Sequence, residues 1–189
     1  IVAIGAGRNR NAGDWNYATQ SRRQPGSTAK PIFDYGPGME YNDFSTYTLF
    51  NDEPWTYTNG PEIGNWDGSY QGLITLRQAL SVSRNIPALK AFQQVDKKNI
   101  VTFVNNLGLD VAYSTKSENY KKDEKTGADN VINEAYSIGG MAYGVTPLDM
   151  AEAYASFANG GYHIETHAVT KIEYRSTGET VDFSEEKKK

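Results

Sequence analysis

The sequence predicts a mixed α+β domain. Three observations predict it: an apolar, strand-like run at residues 1–6, several helical segments in the middle of the chain, and a hairpin pattern between residues 168 and 183. A strand followed by many helices and then a hairpin is typical of α+β proteins, whereas regular βαβ alternation predicts a parallel sheet. The length of 189 residues suffices for one domain with a buried core.

The composition excludes several classes of protein. Hydrophobic residues make up 38% of the chain, and no apolar run approaches the roughly 20 residues that a membrane helix needs. The net charge is -4 and no basic stripe is present, which argues against nucleic acid as a partner. With no cysteine and two histidines, the chain has little to offer a metal. Its chemistry must therefore use hydroxyl, amine, amide or carboxylate groups, and we predict neither a cofactor nor a metal.

The first half of the chain begins with the predicted buried strand at residues 1–6. A polar loop follows at residues 7–26 and ends in a Pro-Gly turn signal. A helix is predicted from Ser27, as its N-cap, to about residue 41, with Pro31 in the first turn, where a missing N–H costs little. Residues 42–72 are rich in aromatic residues without a sustained period, which predicts a long irregular segment.

Three helical stretches are predicted next, at residues 75–81, 87–95 and 99–107. Gly108 is expected to end the third of these helices. Residues 114–130 are polar and lysine-rich, which is typical of a solvated loop.

The clearest helix signal starts at Thr146. Thr146 is predicted as the N-cap, Pro147 as the first helical residue, and Asp149 as an acidic residue in the first turn. The helix is expected to end before a Gly-Gly pair. Residues 168–174 and 179–183 are predicted to form the two strands of a hairpin.

The first candidate site is Ser27-Thr28-Ala29-Lys30. Residues three apart lie on the same face of a helix, so the Lys30 amine can reach back to the Ser27 hydroxyl as its base. A serine at a helix start is also close to unpaired backbone N–H groups, which favour the negative oxygen of a tetrahedral intermediate. The simpler alternative is a helix cap beside an exposed lysine. A second S-x-x-K match, at residues 184–187, lies in an acidic tail and is interpreted as a solvated surface run.

The second candidate is Ser83-Arg84-Asn85, at the junction of two predicted helices. A hydroxyl and a carboxamide placed there can face one cleft. Ser83 can then relay a proton between the lysine and a leaving amine, while Asn85 holds a peptide amide of the substrate. Two similar tripeptides, at residues 57–59 and 117–119, lie in predicted loops and are interpreted as structural.

Both motifs, together with a third block, resemble the transpeptidase domain of a penicillin-binding protein. The last two blocks are similar to the bifunctional class A type in particular. In the family's order, the blocks are Pro-Gly-Ser-Thr-Ala-Lys-Pro at residues 25–31, residues 76–88 around the S-x-N tripeptide, and residues 144–161 around the Thr146 helix. S-x-x-K is among the signatures of penicillin-binding proteins and class A β-lactamases.

The resemblance implies a penicillin-binding and serine β-lactamase-like transpeptidase fold, in which helices flank an antiparallel sheet. It implies a D,D-transpeptidase that cross-links peptidoglycan stem peptides ending in D-Ala-D-Ala. Ser27 would attack the carbonyl between the two D-alanines and form an acyl-enzyme, with Lys30 as the base. Ser83 would shuttle protons, and Asn85 would position the amide.

The same resemblance carries expectations about partners and location. β-Lactam antibiotics are expected to acylate Ser27 as substrate mimics, and other cell-wall synthesis proteins are further candidate partners. The implied location is the extracytoplasmic face of the bacterial cell membrane, with the anchor outside this chain.

The family's third motif, Lys-Thr/Ser-Gly on a strand, is where the sequence departs from the pattern. Lys125-Thr126-Gly127 has the right residues, but it precedes the Thr146 helix and lies in the lysine-rich loop. We therefore expect this tripeptide to be a coincidental match. The chain, residues 1–189, is expected to be a partial transpeptidase domain whose third motif lies beyond residue 189, and to be poorly active alone.

Two other functions fit the same motifs. A serine β-lactamase shares the fold and the first two motifs but adds a group that activates water, and we can assign that role to no residue of this sequence. The alternative outside enzymes is a catalytically inert penicillin-binding-like domain used for sensing or scaffolding.

Two further features have simpler interpretations. His163 and His167 flank Glu165, but the order differs from the zinc motif H-E-x-x-H and the segment is strand-like. The aromatic-rich residues 41–70 can line a cleft, although packing of a long loop is the interpretation we favour.

Overall fold

The structure is a computed structural model that describes residues 8, 11 and 13–183. The predicted strand at residues 1–6 and the second S-x-x-K match at residues 184–187 lie outside the described residues. From residue 13 onward, short helices and short strands follow one another along the chain.

Helices supply most of the framework of the described chain. In order, the helical elements are a 3-10 turn at Gly26–Ala29, a π-helical turn at Pro31–Tyr35, α1 at Gly36–Tyr41, α2 at Leu76–Ser81, α3 at Asn85–Gln94, α4 at Lys97–Asn106, a 3-10 turn at Glu134–Ile138, and α5 at Pro147–Ala158.

The helix limits follow the local sequence signals closely. Thr146 and Asp149 form the capping box of α5, which confirms the predicted start of that helix. Gly108 follows α4 in the left-handed region, at φ 84°, as predicted for a helix stop. Helix α3 begins two residues earlier than predicted, at Asn85, because Arg84 has extended backbone angles and serves as its N-cap.

The strands form three separate two-stranded antiparallel sheets. They are β1 at Leu49–Asp52 with β4 at Gly72–Thr75, β2 at Trp55–Thr56 with β3 at Glu62–Ile63, and β5 at Lys171–Glu173 with β6 at Thr180–Asp182. The last pair confirms the predicted hairpin. Within the described residues, these pairs do not join into the single helix-flanked sheet that the resemblance implies. Each strand is only two to four residues long, and the predicted strand at residues 1–6 is not among those described.

The main hydrophobic core includes the buried side chains of the segment that follows Ser27. Its fully buried members come from that segment and from the later helices, and they include Ala29, Ile32, Phe33, Phe92, Ile100, Val104 and Ala153. Phe33 meets Tyr136 edge to face, with the ring centroids 5.6 Å apart. Burying an apolar side chain of this size contributes about 1.5–3 kcal/mol. The core therefore packs against the segment that carries Lys30 and stabilises its position.

Candidate active site

Ser27 lies in the 3-10 turn Gly26–Ala29, and the residue is exposed. The prediction that Ser27 caps a helix is wrong, because Pro25 is the N-cap and no side chain caps this turn. Pro25 already has helical backbone angles, so the helical path starts before the serine. Thr28, rather than Ser27, closes the turn, since its Oγ1 donates to the Pro25 carbonyl over 2.7 Å. Within the part of the chain that the structure describes, the Ser27 hydroxyl is thus free to react.

The predicted helix over residues 27–41 is confirmed as one helical path of three pitches. It passes from the 3-10 turn to the π-helical turn and then to α1. Pro31 lacks an N–H, and its carbonyl accepts from the Gly36 N–H in the wide π-type ring. Such π-type turns are frequent at functional sites.

Lys30 is fully buried, and its ammonium is held by the second motif. Lys30 Nζ donates to the Ser83 carbonyl over 2.7 Å, to Ser83 Oγ over 3.0 Å and to Asn85 Oδ1 over 2.9 Å. These three acceptors match the three N–H donors of an ammonium. Among the described residues, the Ser27 hydroxyl makes no hydrogen bond. The direct contact predicted between Lys30 and Ser27 is therefore replaced by contacts to Ser83 and Asn85.

The surroundings of Lys30 lower the pKa of its amine to about 8. Burial is the largest cause, because a buried ammonium loses its hydration. The positive charge of Arg84 lowers the pKa further, whereas the carboxyl of Asp34 raises it. Asp34 is itself fully buried, burial raises its pKa, and neither of its oxygens has a hydrogen-bond partner in the described structure. A lysine with this pKa can lose its proton near neutral pH and serve as a base.

Ser83 ends helix α2 in an unusual backbone conformation. The Arg84 N–H bonds to the Ala79 carbonyl over 2.9 Å, and the Ser83 N–H bonds to the Leu80 carbonyl over 3.1 Å, which together make a Schellman motif. The left-handed residue of this motif is normally glycine, but here it is Ser83, at φ 55°. The strained backbone turns the serine carbonyl and hydroxyl toward Lys30.

The aromatic-rich segment before α2 forms a buried polar network behind this turn. The Arg84 guanidinium is fully buried and bonds to Asp52 Oδ2 and Asp67 Oδ2, each over 2.8 Å, and to the Ser69 carbonyl. No role was predicted for Arg84 from the sequence. The only local signal for the buried network is the position of this arginine, between two motif residues and ahead of two helices.

Asn65 connects that network to the second motif. Asn65 Nδ2 donates to Asp52 Oδ1 over 2.7 Å, and Asn65 Oδ1 accepts from the Asn85 N–H over 2.8 Å. Asn85 Nδ2 donates to the Gly64 carbonyl over 2.9 Å. Next to them, the exposed Trp66 donates its indole N–H to the Val82 carbonyl over 3.1 Å. Some of the aromatic segment thus borders the motif, while Phe44 and Phe50 pack inside, as predicted for a packed loop.

Two later elements support the Ser27 turn. Gly139, at φ 77°, lies so close to Gly26 that a side chain on it would collide with the Gly26 backbone. From α5, Tyr154 donates its hydroxyl to the Thr28 carbonyl over 2.8 Å. The turn is therefore held from two sides by residues more than 100 positions later.

Among the described residues, no hydrogen bond or ion pair joins the Lys-Thr-Gly tripeptide or the histidine segment to the contacts of Lys30. Lys125 and Gly127 are in an exposed turn, where Asp123 Oδ1 accepts from the Lys125 N–H over 2.9 Å. His163 Nε2 lies 2.6 Å from Glu152 Oε1, so its ring is engaged with α5. The described part of the chain holds no group of three or more His, Cys, Asp or Glu side chains suited to a metal ion.

The whole chain, residues 1–189, matches the family model described as the penicillin-binding protein transpeptidase domain. The chain belongs to this family. This transpeptidase-family chain is 50% identical, over 190 residues, to penicillin-binding protein 1A/1B of Bacillus subtilis (strain 168), a match covering 100% of the chain and 19% of that relative. It is 39% identical to penicillin-binding protein 1A of Streptococcus pneumoniae (strain ATCC BAA-255 / R6) over 172 residues, covering 89% of the chain and 22% of the relative.

A solved structure supports the same fold for this transpeptidase-family chain. The 2.6 Å crystal structure of penicillin-binding protein 1A from Haemophilus influenzae superimposes with a TM-score of 0.70 at 28% identity, covering 92% of this chain and 24% of that one. The predicted resemblance and fold class are thereby confirmed. The chain spans about a fifth of the length of the relatives it matches. In its described part, no helix has the length and apolar character needed to cross a membrane.

Proposed function

We propose that this chain carries the first two active-site motifs of a D,D-transpeptidase that cross-links peptidoglycan stem peptides through a serine acyl-enzyme. The observation that carries the proposal is the hydrogen bonding of the buried Lys30 ammonium to Ser83 and Asn85, next to an exposed Ser27. A nucleophile, a base of lowered pKa, a second hydroxyl and a carboxamide are the groups that such chemistry requires.

In the proposed first half-reaction, the Ser27 oxygen attacks the carbonyl carbon between the two terminal D-alanines. The Ser27 proton passes to the neutral Lys30 amine, and the carbonyl oxygen becomes an oxyanion. When the intermediate collapses, the C–N bond breaks. The proton reaches the leaving D-alanine amine through Ser83, whose hydroxyl is hydrogen-bonded to Lys30. The product is an ester between Ser27 and the shortened stem peptide.

In the second half-reaction, an amine from a neighbouring stem peptide attacks this ester. The proton path runs in reverse, so that Lys30 accepts a proton from the attacking amine and Ser27 regains its own. The C–O bond of the ester breaks and a new amide bond joins the two stems. Asn85 would hold the peptide amide of the donor stem, because a carboxamide both donates and accepts hydrogen bonds.

We propose that the third motif, Lys-Thr/Ser-Gly, lies beyond residue 189, since Lys125 sits in an exposed turn. The carboxylate of the donor stem would pair with that motif. β-Lactams would acylate Ser27, and the protein would act on the extracytoplasmic face of the cell membrane with other cell-wall synthesis proteins.

The test is covalent labelling of the full-length protein with penicillin, followed by peptide mass spectrometry. We expect one stable adduct, on Ser27, which disappears in Ser27→Ala and persists in the matched control Ser117→Ala. Rapid release of hydrolysed penicillin would instead favour a β-lactamase. A wild-type protein that is never acylated would leave only the inert sensor or scaffold.

A further inference from the structure

The strongest unexplained feature of the molecule is a fully buried arginine between two residues of the second motif. Burying a guanidinium is costly unless all of its surroundings compensate the charge. Asp52, from the end of β1, is also fully buried and supplies one carboxylate at 2.8 Å. Asp67 supplies a second at the surface, also at 2.8 Å, and the Ser69 carbonyl accepts from Nη2. A buried guanidinium with this many polar partners indicates a functional role for Arg84.

The contacts of this cluster lead back to the motif by a closed path of hydrogen bonds. Arg84 Nε binds Asp52 Oδ2, Asp52 Oδ1 binds Asn65, and Asn65 Oδ1 receives the Asn85 N–H. Asn85 Oδ1 then accepts from Lys30. A shift of the guanidinium would therefore move Asn85 through this path, whereas Ser83 is joined to Arg84 through the backbone.

We infer that Arg84 is a positioning residue for the acyl-transfer site: its guanidinium holds Asn85 against Lys30 through Asp52 and Asn65, and its anchored backbone fixes the adjacent Ser83. The inference rests on the proposed function and deepens it, because it names a residue that acts through the motif without touching the substrate. A planar, forked cation suits this task better than lysine, since it can bind several acceptors in fixed directions.

Arg84 also acts on Lys30 through its charge. The charged groups that face this region are Asp52 and Asp67 beside Arg84, and Asp34 beside Lys30. The positive charge of Arg84 lowers the pKa of Lys30, so its removal should raise that pKa. A residue with only a structural role would change the melting temperature and leave the pH profile in place.

The experiment measures the acylation rate constant of the folded, full-length protein with a fluorescent penicillin from pH 6 to pH 9.5. Arg84→Lys keeps the positive charge but loses the several N–H donors of the planar guanidinium. We therefore expect the acylation rate constant to fall about tenfold, with its rise occurring at the same pH as in the wild type. Arg84→Met loses the charge and the hydrogen bonds. The acylation rate constant should then fall about a hundredfold, and its rise with pH should move to higher pH. Melting curves give the folded fraction of each variant.

Two carboxylate variants keep the test decisive if Arg84→Met does not fold. Asp67→Asn weakens one surface contact of Arg84 without leaving a buried charge unpaired, and should slow acylation about threefold or more. Glu53→Gln is the matched control, because it breaks the 3.0 Å ion pair between Lys90 of α3 and the chain just after β1. We expect Glu53→Gln to acylate at the wild-type rate.

The outcomes separate the two proposals. If wild-type and Glu53→Gln proteins are acylated and Arg84→Lys and Asp67→Asn react equally fast, Arg84 is purely structural and the inference is overturned while the proposed function stands. If the wild-type protein is not acylated at Ser27, the proposed function fails and the inference fails with it. Slower acylation in both variants, with the control unchanged, supports the inference.

Discussion

The ammonium of Lys30 donates a 3.0 Å hydrogen bond to the hydroxyl of Ser83, which lies 53 positions later in the chain. The same amine reaches the Asn85 amide oxygen, whereas no hydrogen bond to Ser27 is present among the described residues. Ser83 is therefore placed to relay a proton between Lys30 and a leaving amine. The pairing also requires Ser83 to adopt a backbone conformation that glycine would adopt without strain.

Substitutions of Ser83 should separate its chemical role from its backbone role. Ser83→Ala and Ser83→Gly both lose the hydroxyl, so both should slow acylation by about a hundredfold or more. Ser83→Gly also relieves the left-handed strain and should be more stable than Ser83→Ala by about 1 kcal/mol. Thermal denaturation and labelling by a fluorescent penicillin measure the two effects. Equal stability of the two variants would contradict the role assigned to the backbone.

The pH dependence of acylation should follow the proton on Lys30. With a pKa of about 8, only about one Lys30 amine in ten is neutral at pH 7, and the neutral fraction rises with pH. The acylation rate should therefore increase from pH 6 upward and reach half of its maximum near pH 8. Lys30→Arg stays protonated throughout and should lose this limb together with its activity. A flat wild-type profile between pH 6 and pH 9 would show that another group is the base.

Gly139 should be intolerant of any side chain. In Gly139→Ala the new methyl would collide with the Gly26 backbone at a positive φ, so we expect a loss of about 2–4 kcal/mol in unfolding free energy. The Ser27 turn would move with Gly26, and acylation should fall. Gly127→Ala is the matched control, because its φ of 72° is similar but nothing lies within 4 Å of the new methyl. The control should lose only about 1 kcal/mol and keep its acylation rate.

Lys125 should be dispensable for acylation. Its side chain belongs to an exposed turn that Asp123 closes by accepting backbone N–H groups, including that of Thr126 over 2.7 Å. Lys125→Ala should therefore change neither the acylation rate of the full-length protein nor its stability by more than about 0.5 kcal/mol. Kinetic labelling with a fluorescent penicillin measures the rate. A tenfold loss would identify Lys125 as the third-motif lysine after all.

The local elements could be predicted from the sequence because their causes are local. Thr146 and Asp149 cap the same turn from three residues apart, and Gly108 ends α4 through its own backbone freedom. The exception is Ser27. A serine at this position is typical of an N-cap. Pro25 already has helical backbone angles, however, so the N-cap is the proline.

The network around Arg84 could not be predicted for the opposite reason. Its partners come from residues 42–72, where the lack of sequence periodicity predicts irregular structure but the structure forms short paired strands. Asp52 lies 32 positions before Arg84, and Asn65 lies 20 positions before Asn85. Which of the carboxylates and amides in that segment become buried depends on how the loop packs on α2 and α3. Hydrophobic patterns carry no such information.

The functional groups of the site, the order of its motifs and the limits of most helices follow from local sequence. The contacts of Lys30 with Ser83 and Asn85 instead of Ser27, and the burial of Arg84 behind them, arise only on folding. These two groups of features differ in the range of the interactions that cause them. Helix caps and turns depend on atoms within a few residues, whereas a buried ammonium must bond to the acceptors that packing brings within about 3 Å of it.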